Sequence, residues 1–354
     1  MLNSKQEKVV GELSQKSLGA PFIFEPDEFK KGNATREPAD LVWACNNCIF
    51  LFYVKANKGS VGKEESVVKG RKKKLIELNI GQAKGWLKEW RNGRKLIGKN
   101  KFRQFNIDYN EYKHIVIIGI IDINNEEGFY HYDFEKELEV TLCATLSQRT
   151  FEILVSLDFT AIDLISLIYN LKKKNLGFDP SGSLSIANDY YSDAYKYAYE
   201  SAKSLLPEIL PQEELIISVR KAFQALRSAL LLEIKKDDKE IYSVASIFND
   251  IPLHHYYQLI ILLAHWIKFQ EKDPRIWTVY VQDLDNYIFI IGVAHPGNFH
   301  LLSEKQLEAE RMLEKLNRQN TLVSIAFDTY TYTSVFGFKE RPSKSQCEKL
   351  LDGD

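Results

Sequence analysis

Asp40 and Lys55 stand at the two open ends of a double apolar run, DLVWAC followed by CIFLFYVK, with Asn46 and Asn47 between the runs. Asn tolerates the positive φ that a two-residue hairpin turn requires. With that turn, Cys45 faces Cys48 and Asp40 falls opposite Tyr53. Side chains alternate faces along a strand, so Asp40, Tyr53 and Lys55 share one face. Lys55 then lies on the diagonal from Asp40, within ~7–8 Å between backbones. Charges at the end of two buried strands are costly unless they are paired or bind an ion. A carboxylate-held metal ion lowers the pKa of a bound water and clamps a phosphate oxygen. An ammonium beside it supplies fixed positive charge where negative charge develops. The pair is thus placed either to neutralise itself or to bind an ion.

The elements that must hold this pair can be read from periodicity. Residues 4–18 read as a helix with Val9, Val10 and Leu13 on one side. Runs 39–45 and 48–55 read as strands, and near-continuous apolarity implies cover on both faces. The Gly-, Ser- and Lys-rich segment 57–74 reads as a loop. A helix is expected over 75–92, ending near Gly93. HIVIIGIID at 114–122 reads as another buried strand, with weaker strands near 138–146 and 150–155. From 158 the texture turns helical. Thr160 followed by Asp163 marks a helix start, and helices are expected over about 160–174, 187–205, 212–235 and 252–270. The end of the chain reads as strand, strand, a helix opened by Ser303 and Gln306, then strand. The expected organisation is an α/β domain over 1–155 and an α-rich to small α+β part over 156–354.

Pro38-Ala39-Asp40, Tyr53-Val54-Lys55, and Gln82 with Trp86 on the following helix together resemble the restriction-endonuclease-like PD-(D/E)xK nuclease superfamily. The stretch from Glu37 to Trp43 and the Phe52–Lys55 end are similar to a bacterial group of that superfamily. The resemblance covers about residues 4–155. It implies a mixed central sheet flanked by helices. It also implies Asp40 and a strand acid binding Mg²⁺ or Mn²⁺, Lys55 acting on water, Gln82 as a supporting polar group, and a first-helix acid, Glu12, supporting the metal. The strand acid is absent, and Tyr53 fills its slot. A phenol with a pKa near 10 is a poor ligand for a hard cation. Glu37 or Glu12 is left to serve as the second carboxylate, or the fold persists as a scaffold without metal. Helical periodicity does not choose Glu12 over Glu7.

The charge pattern points to a polyanion. Residues 1–110 carry 22 basic and 12 acidic side chains, and the remainder carries 25 and 36. Within 55–104 the numbers are 16 and 4. Lys72, Lys73, Lys74, Lys84, Lys88, Arg91, Arg94 and Lys95 are the residues expected to neutralise phosphates, with steeply salt-dependent binding. DNA or RNA is the expected partner, in bacterial defence or nucleic-acid maintenance by analogy with the superfamily. The alternatives are an inactive nuclease fold that binds nucleic acid, or a protein-interaction module working through the acidic C-terminal half, by homo-oligomerisation or with a protein partner.

Other signals carry less. Four cysteines in 354 residues exclude a disulfide scaffold, and a cytoplasmic location is expected. No apolar run is long enough to span a membrane. Cys45 and Cys48 lack a second cysteine or histidine pair, so a zinc site is not expected. His254, His255 and His265, and the tyrosines of 190–199, read as core or interface.

Overall fold

The computed structural model describes residues 5–45, 47–56, 65–122, 128–130, 134–156, 160–173, 182–205 and 251–272, the strands 278–284, 287–294, 321–328 and 334–339, and isolated positions between 207 and 249. Two compact units emerge, one over Met1–Lys196 with Leu230–His255, the other over Tyr197–Ala229 with Tyr256–Asp354. The first unit thus extends past residue 155, where the sequence alone places its end.

The first unit is α/β, built on one large mixed sheet flanked by helices. Its strands are β1 (Ile23–Pro26), β4 (Leu41–Cys45), β5 (Cys48–Ala56), β6 (Leu96–Lys99), β7 (Gln104–Ile107), β8 (His114–Asp122), β9 (Phe129–Tyr130) and β10 (Leu142–Ser147). They lie in the order β7-β6-β1-β4-β5-β8-β10-β9. β5, β8 and β10 run parallel, and the other neighbours pair antiparallel. A separate two-stranded ribbon, β2 (Phe29–Lys31) with β3 (Ala34–Arg36), precedes β4. The hairpin register is the expected one: Leu41 pairs with Phe52 and Cys45 with Cys48. Asn46 lies outside the described residues. The cysteines are buried and form no disulfide, and the Cys45 thiol donates to the Cys48 carbonyl at 3.5 Å.

Helix α2 (Glu65–Arg91) covers one face of this sheet. It buries Ile76, Asn79, Ile80, Ala83, Trp86, Leu87 and Trp90, the i, i+3, i+4 stripe of a helix lying on a core. It starts ten residues before the expected position, so 65–74 is helix rather than loop. The apolar stripe begins only at Ile76, and the lysine-rich turns before it hide the helix from hydropathy. It stops where expected: Gly93 takes φ 89°, and the Arg94 N–H donates to the Glu89 carbonyl at 3.1 Å, which closes a Schellman turn.

Helices α1 (Lys5–Ser14) and α4 (Gln148–Val155) take the opposite face. Phe52 points to that side and meets Phe151 of α4 edge-on, with ring centroids 5.5 Å apart. α4 stands where a strand over 150–155 is expected. Ser147 accepts from the Thr150 N–H at 3.1 Å and caps it, a local bond that diverts the chain from extension. A short helix, α3 (Glu135–Leu138), precedes β10.

Gly119 of β8 sits opposite Tyr53 of β5. A Cβ there would lie 2.8 Å from Thr145 Oγ1 and 3.0 Å from Asn79 Nδ2. The Asn79 amide occupies that space because it donates to the Tyr53 carbonyl at 3.2 Å. Gly119→Ala should therefore destabilise the unit by about 1–3 kcal/mol through overpacking, read as a lower denaturant midpoint at unchanged slope.

Beyond the sheet, α5 (Ala161–Lys173), α6 (Gly182–Leu205) and α7 (Leu253–Lys272) are helical as expected. Asp163 joins three segments of the first unit: Oδ2 accepts from Thr160 Oγ1 at 2.6 Å, and Oδ1 from Tyr190 and the Leu253 N–H at 2.8 and 2.9 Å. On α6 the buried positions are Ala194, Ala198 and Ala202, while Tyr197 is exposed. The tyrosines thus flank the packed face instead of forming it. The second unit carries a four-stranded sheet, β11 (Thr278–Leu284), β12 (Tyr287–Ala294), β13 (Thr321–Asp328) and β14 (Ser334–Lys339), in that order with a parallel central pair. Of the helix expected at 212–235 only Lys221, Leu231 and Ile234 are described, the first two as helix, and the helix expected after Ser303 lies outside the described residues. Among the described residues no helix is long and apolar enough to cross a membrane.

Candidate active-site cleft

Asp40 ends up beside Lys55 because the hairpin pairs them and the sheet buries everything between. The Asp40 N–H donates to the Phe52 carbonyl at 2.9 Å. Its carboxylate then continues the ladder where a β4 carbonyl would stand: Oδ2 accepts from the Val54 N–H at 2.5 Å. Lys55 Nζ donates to the same oxygen at 3.3 Å and to the Val54 carbonyl at 3.2 Å. The Asp40 side chain is 5 % exposed and that of Lys55 28 %. Both lie at the carboxyl end of the parallel strands, where open α/β sheets place their ligands. Asp122, which pairs with Ala56 at the same end, accepts from Gln6 Nε2 of α1 at 3.2 Å.

Tyr53 shares this face but is committed elsewhere. It is fully buried, and its hydroxyl donates to the Pro38 carbonyl at 2.8 Å. Burial, and then the charge of Asp40, push its phenol far above the ordinary range. It supplies no anionic oxygen to the site.

Burial also raises the Asp40 carboxyl, while Lys55 and the Val54 N–H pull it down. A raised pKa means that the folded chain binds the proton more tightly than the unfolded chain. The associated stability is complete below the unfolded pKa and is lost as pH rises through the folded one. Removing the Lys55 charge raises the group further. Lys55→Ala should accordingly lower the thermal midpoint more at about pH 8 than at about pH 5; an equal loss at both would show that the two side chains do not interact electrostatically.

Glu37 is half-buried, and its carboxyl is raised by burial and then by Asp40, Glu28 and Glu7. The negative charges of these carboxylates repel one another, and a bound cation would relieve that repulsion. Mg²⁺ needs only one or two protein carboxylates when substrate phosphates complete its shell. Asp40 and Glu37 are the carboxylates that such an ion would have to use, and no three His, Cys, Asp or Glu side chains form a metal-holding group among the described residues. On α1 it is Glu7 whose charge acts on Asp40 and Glu37, whereas Glu12 is exposed. Glu7 lies on the helix face of Val10, Gly11 and Ser14, all buried. Two of those three residues are not hydrophobic, so hydropathy alone could not single out that face.

A cleft of about 700 Å³ opens beside this pair, lined by Glu37, Lys55 and Gln82 among others. Three of the expected site residues therefore share one cavity, with Asp40 buried behind Lys55. No family model, curated protein or solved structure matches this chain.

Six of the eight expected basic residues have an ion-pair or ring partner among the described residues. Lys84 pairs with Glu137, Lys95 with Asp108 at 2.9 Å, Arg91 with Glu139 at 3.2 Å and Lys73 with Glu77 at 3.9 Å. Arg94 pairs with Glu89 at 3.6 Å and lies over Phe29, and Lys72 lies over Tyr130. Lys74 and Lys88 are exposed, with no ion pair among the described residues. Exposed pairs are worth ~0–1 kcal/mol, so a phosphate can displace them, but the field is weaker than the count of lysines implies.

Proposed function

We propose that the first unit is a restriction-endonuclease-like phosphodiester hydrolase acting on DNA or RNA in the cytoplasm, with the cleft beside Lys55 as its active site. The observation that carries this reading is the Asp40–Lys55 pair at 3.3 Å, next to a cavity lined by Glu37 and Gln82. A divalent ion held by Asp40 and Glu37 would supply the activated water and a clamp on the phosphate. Lys55 places a fixed charge beside the phosphoryl group, Gln82 hydrogen-bonds the backbone or the water, and the buried flank of Asp40 holds Lys55 in place. The test is incubation of end-labelled DNA and RNA with Mg²⁺ or Mn²⁺. Cutting that disappears on chelation and in Asp40→Ala is expected, and cutting equal in wild type and variant would refute the assignment.

A second reading is favoured by one observation: Tyr53 fills the acid slot with its hydroxyl already bonded. On that reading the unit binds nucleic acid without hydrolysing it. Binding that falls steeply across a salt series, with no cutting at any metal concentration, would select it.

A further inference from the structure

The cleft has a lining that phosphodiester chemistry alone does not require. Leu78, Gly81, Gln82, Gly85 and Trp86 of α2 form one wall, at spacings that put them on one helix face. Leu78 is 51 % exposed, a large apolar side chain turned to solvent in a concavity. A Cβ built on Gly81 or Gly85 would meet nothing within 4 Å, so the glycines leave a flat floor. Trp86 is 1 % exposed, and its indole N–H meets no acceptor among the described residues. Phe29 completes the apolar lining, its ring 5.2 Å from that of Trp86. Lys31, Arg36 and Lys55 also line the cavity, together with Glu28, Glu37 and Glu77.

We propose that this cleft seats one unstacked nucleobase of a single-stranded nucleic acid on the Leu78–Gly81–Gly85 floor and against the partly exposed Phe29 ring, with the adjoining phosphate at Lys55 and Arg36. The proposal rests on the nucleic-acid reading of the same site. Aromatic and apolar platforms hold unpaired bases with little sequence preference, because every base offers a π-face. A cavity of about 700 Å³ is of small-molecule size and admits a nucleotide, not a double helix. A duplex keeps its bases stacked inside and could fill the seat only by extruding one.

Gly85→Leu tests this. The new side chain projects into the cleft, and leucine is the better helix former, so the fold is kept. Full-length protein in EDTA is titrated by fluorescence anisotropy against a labelled single strand of about 12 nucleotides, an abasic strand of equal length and a blunt duplex. Wild type should favour the base-bearing strand over both others by about tenfold. Gly85→Leu should lose about that factor for this strand alone, with an unfolding midpoint equal to or above wild type. Leu78→Asn, at an exposed position, should show a smaller loss of the same kind. Unchanged affinity in Gly85→Leu, or abasic binding as tight as base-bearing binding, overturns the proposal. Base-dependent binding without hydrolysis keeps the seat and removes the hydrolase reading. Hydrolysis with base-independent binding does the reverse, and no binding of any nucleic acid removes both.

Discussion

Lys55→Met will lower metal-dependent cutting by about 10²–10³-fold, the range for removing one group that stabilises transition-state charge. Methionine keeps the stem of the side chain and deletes the ammonium that sits 3.3 Å from Asp40 Oδ2. The loss should fall on kcat, with KM little changed, because a charge that acts as the phosphoryl group reacts contributes mainly to the transition state. Single-turnover rates on a labelled strand are the measurement, and a loss confined to KM would reassign Lys55 to simple phosphate binding. The pH profile should carry a second mark of the same site. On the proposed function Asp40 and Glu37 must both be ionised to hold a cation, and burial raises both. The acid limb of activity should therefore lie above the ordinary carboxylate range. In Lys55→Met it should move further up, because the charge that favours the Asp40 anion is gone.

Trp90→Ala will remove about 3–5 kcal/mol of stability, the span for truncating a large buried aromatic. Trp90 is 1 % exposed, its indole N–H donates to the Ile107 carbonyl at 3.1 Å, and its ring meets Trp86 and Tyr109. The substitution opens a cavity between α2 and β7 and strands a carbonyl at once. A denaturant midpoint displaced by less than about 1 kcal/mol would mean that the α2–β7 contact is not part of the cooperative core. Trp90→Phe should recover most of the packing but not the hydrogen bond. The loss that remains in Trp90→Phe relative to wild type isolates that bond at about 1 kcal/mol, and the difference between the two variants measures the ring packing.

The hairpin was legible because a two-residue turn leaves one register, and alternation then fixes the faces of Asp40 and Lys55. The end of α2 was legible because a positive φ favours glycine, and Gly93 stands there. What escaped depends on partners distant in the chain. Lys84 finds Glu137 and Lys95 finds Asp108, and no local count of charge anticipates either pairing. Glu7 and Glu12 flank the same apolar positions, and only the packing of Gly11 and Ser14 decides between them. Strands of three or four residues, such as β1, β3 and β6, are too short for a period to show. The cleft is legible only in three dimensions, since Phe29, Lys55 and Trp86 come from three separate elements.

The large sheet ends in β7, four residues long, on one side and in β9, only two residues long, on the other. A margin that short presents few unpaired amides, and so gives an incoming chain little template to zip onto. The broad central strands, apolar on both faces and dangerous if bared, are thereby sealed in from either side. Self-association through either end strand of this sheet would find little backbone to pair with, and favours side chains meeting across surfaces instead.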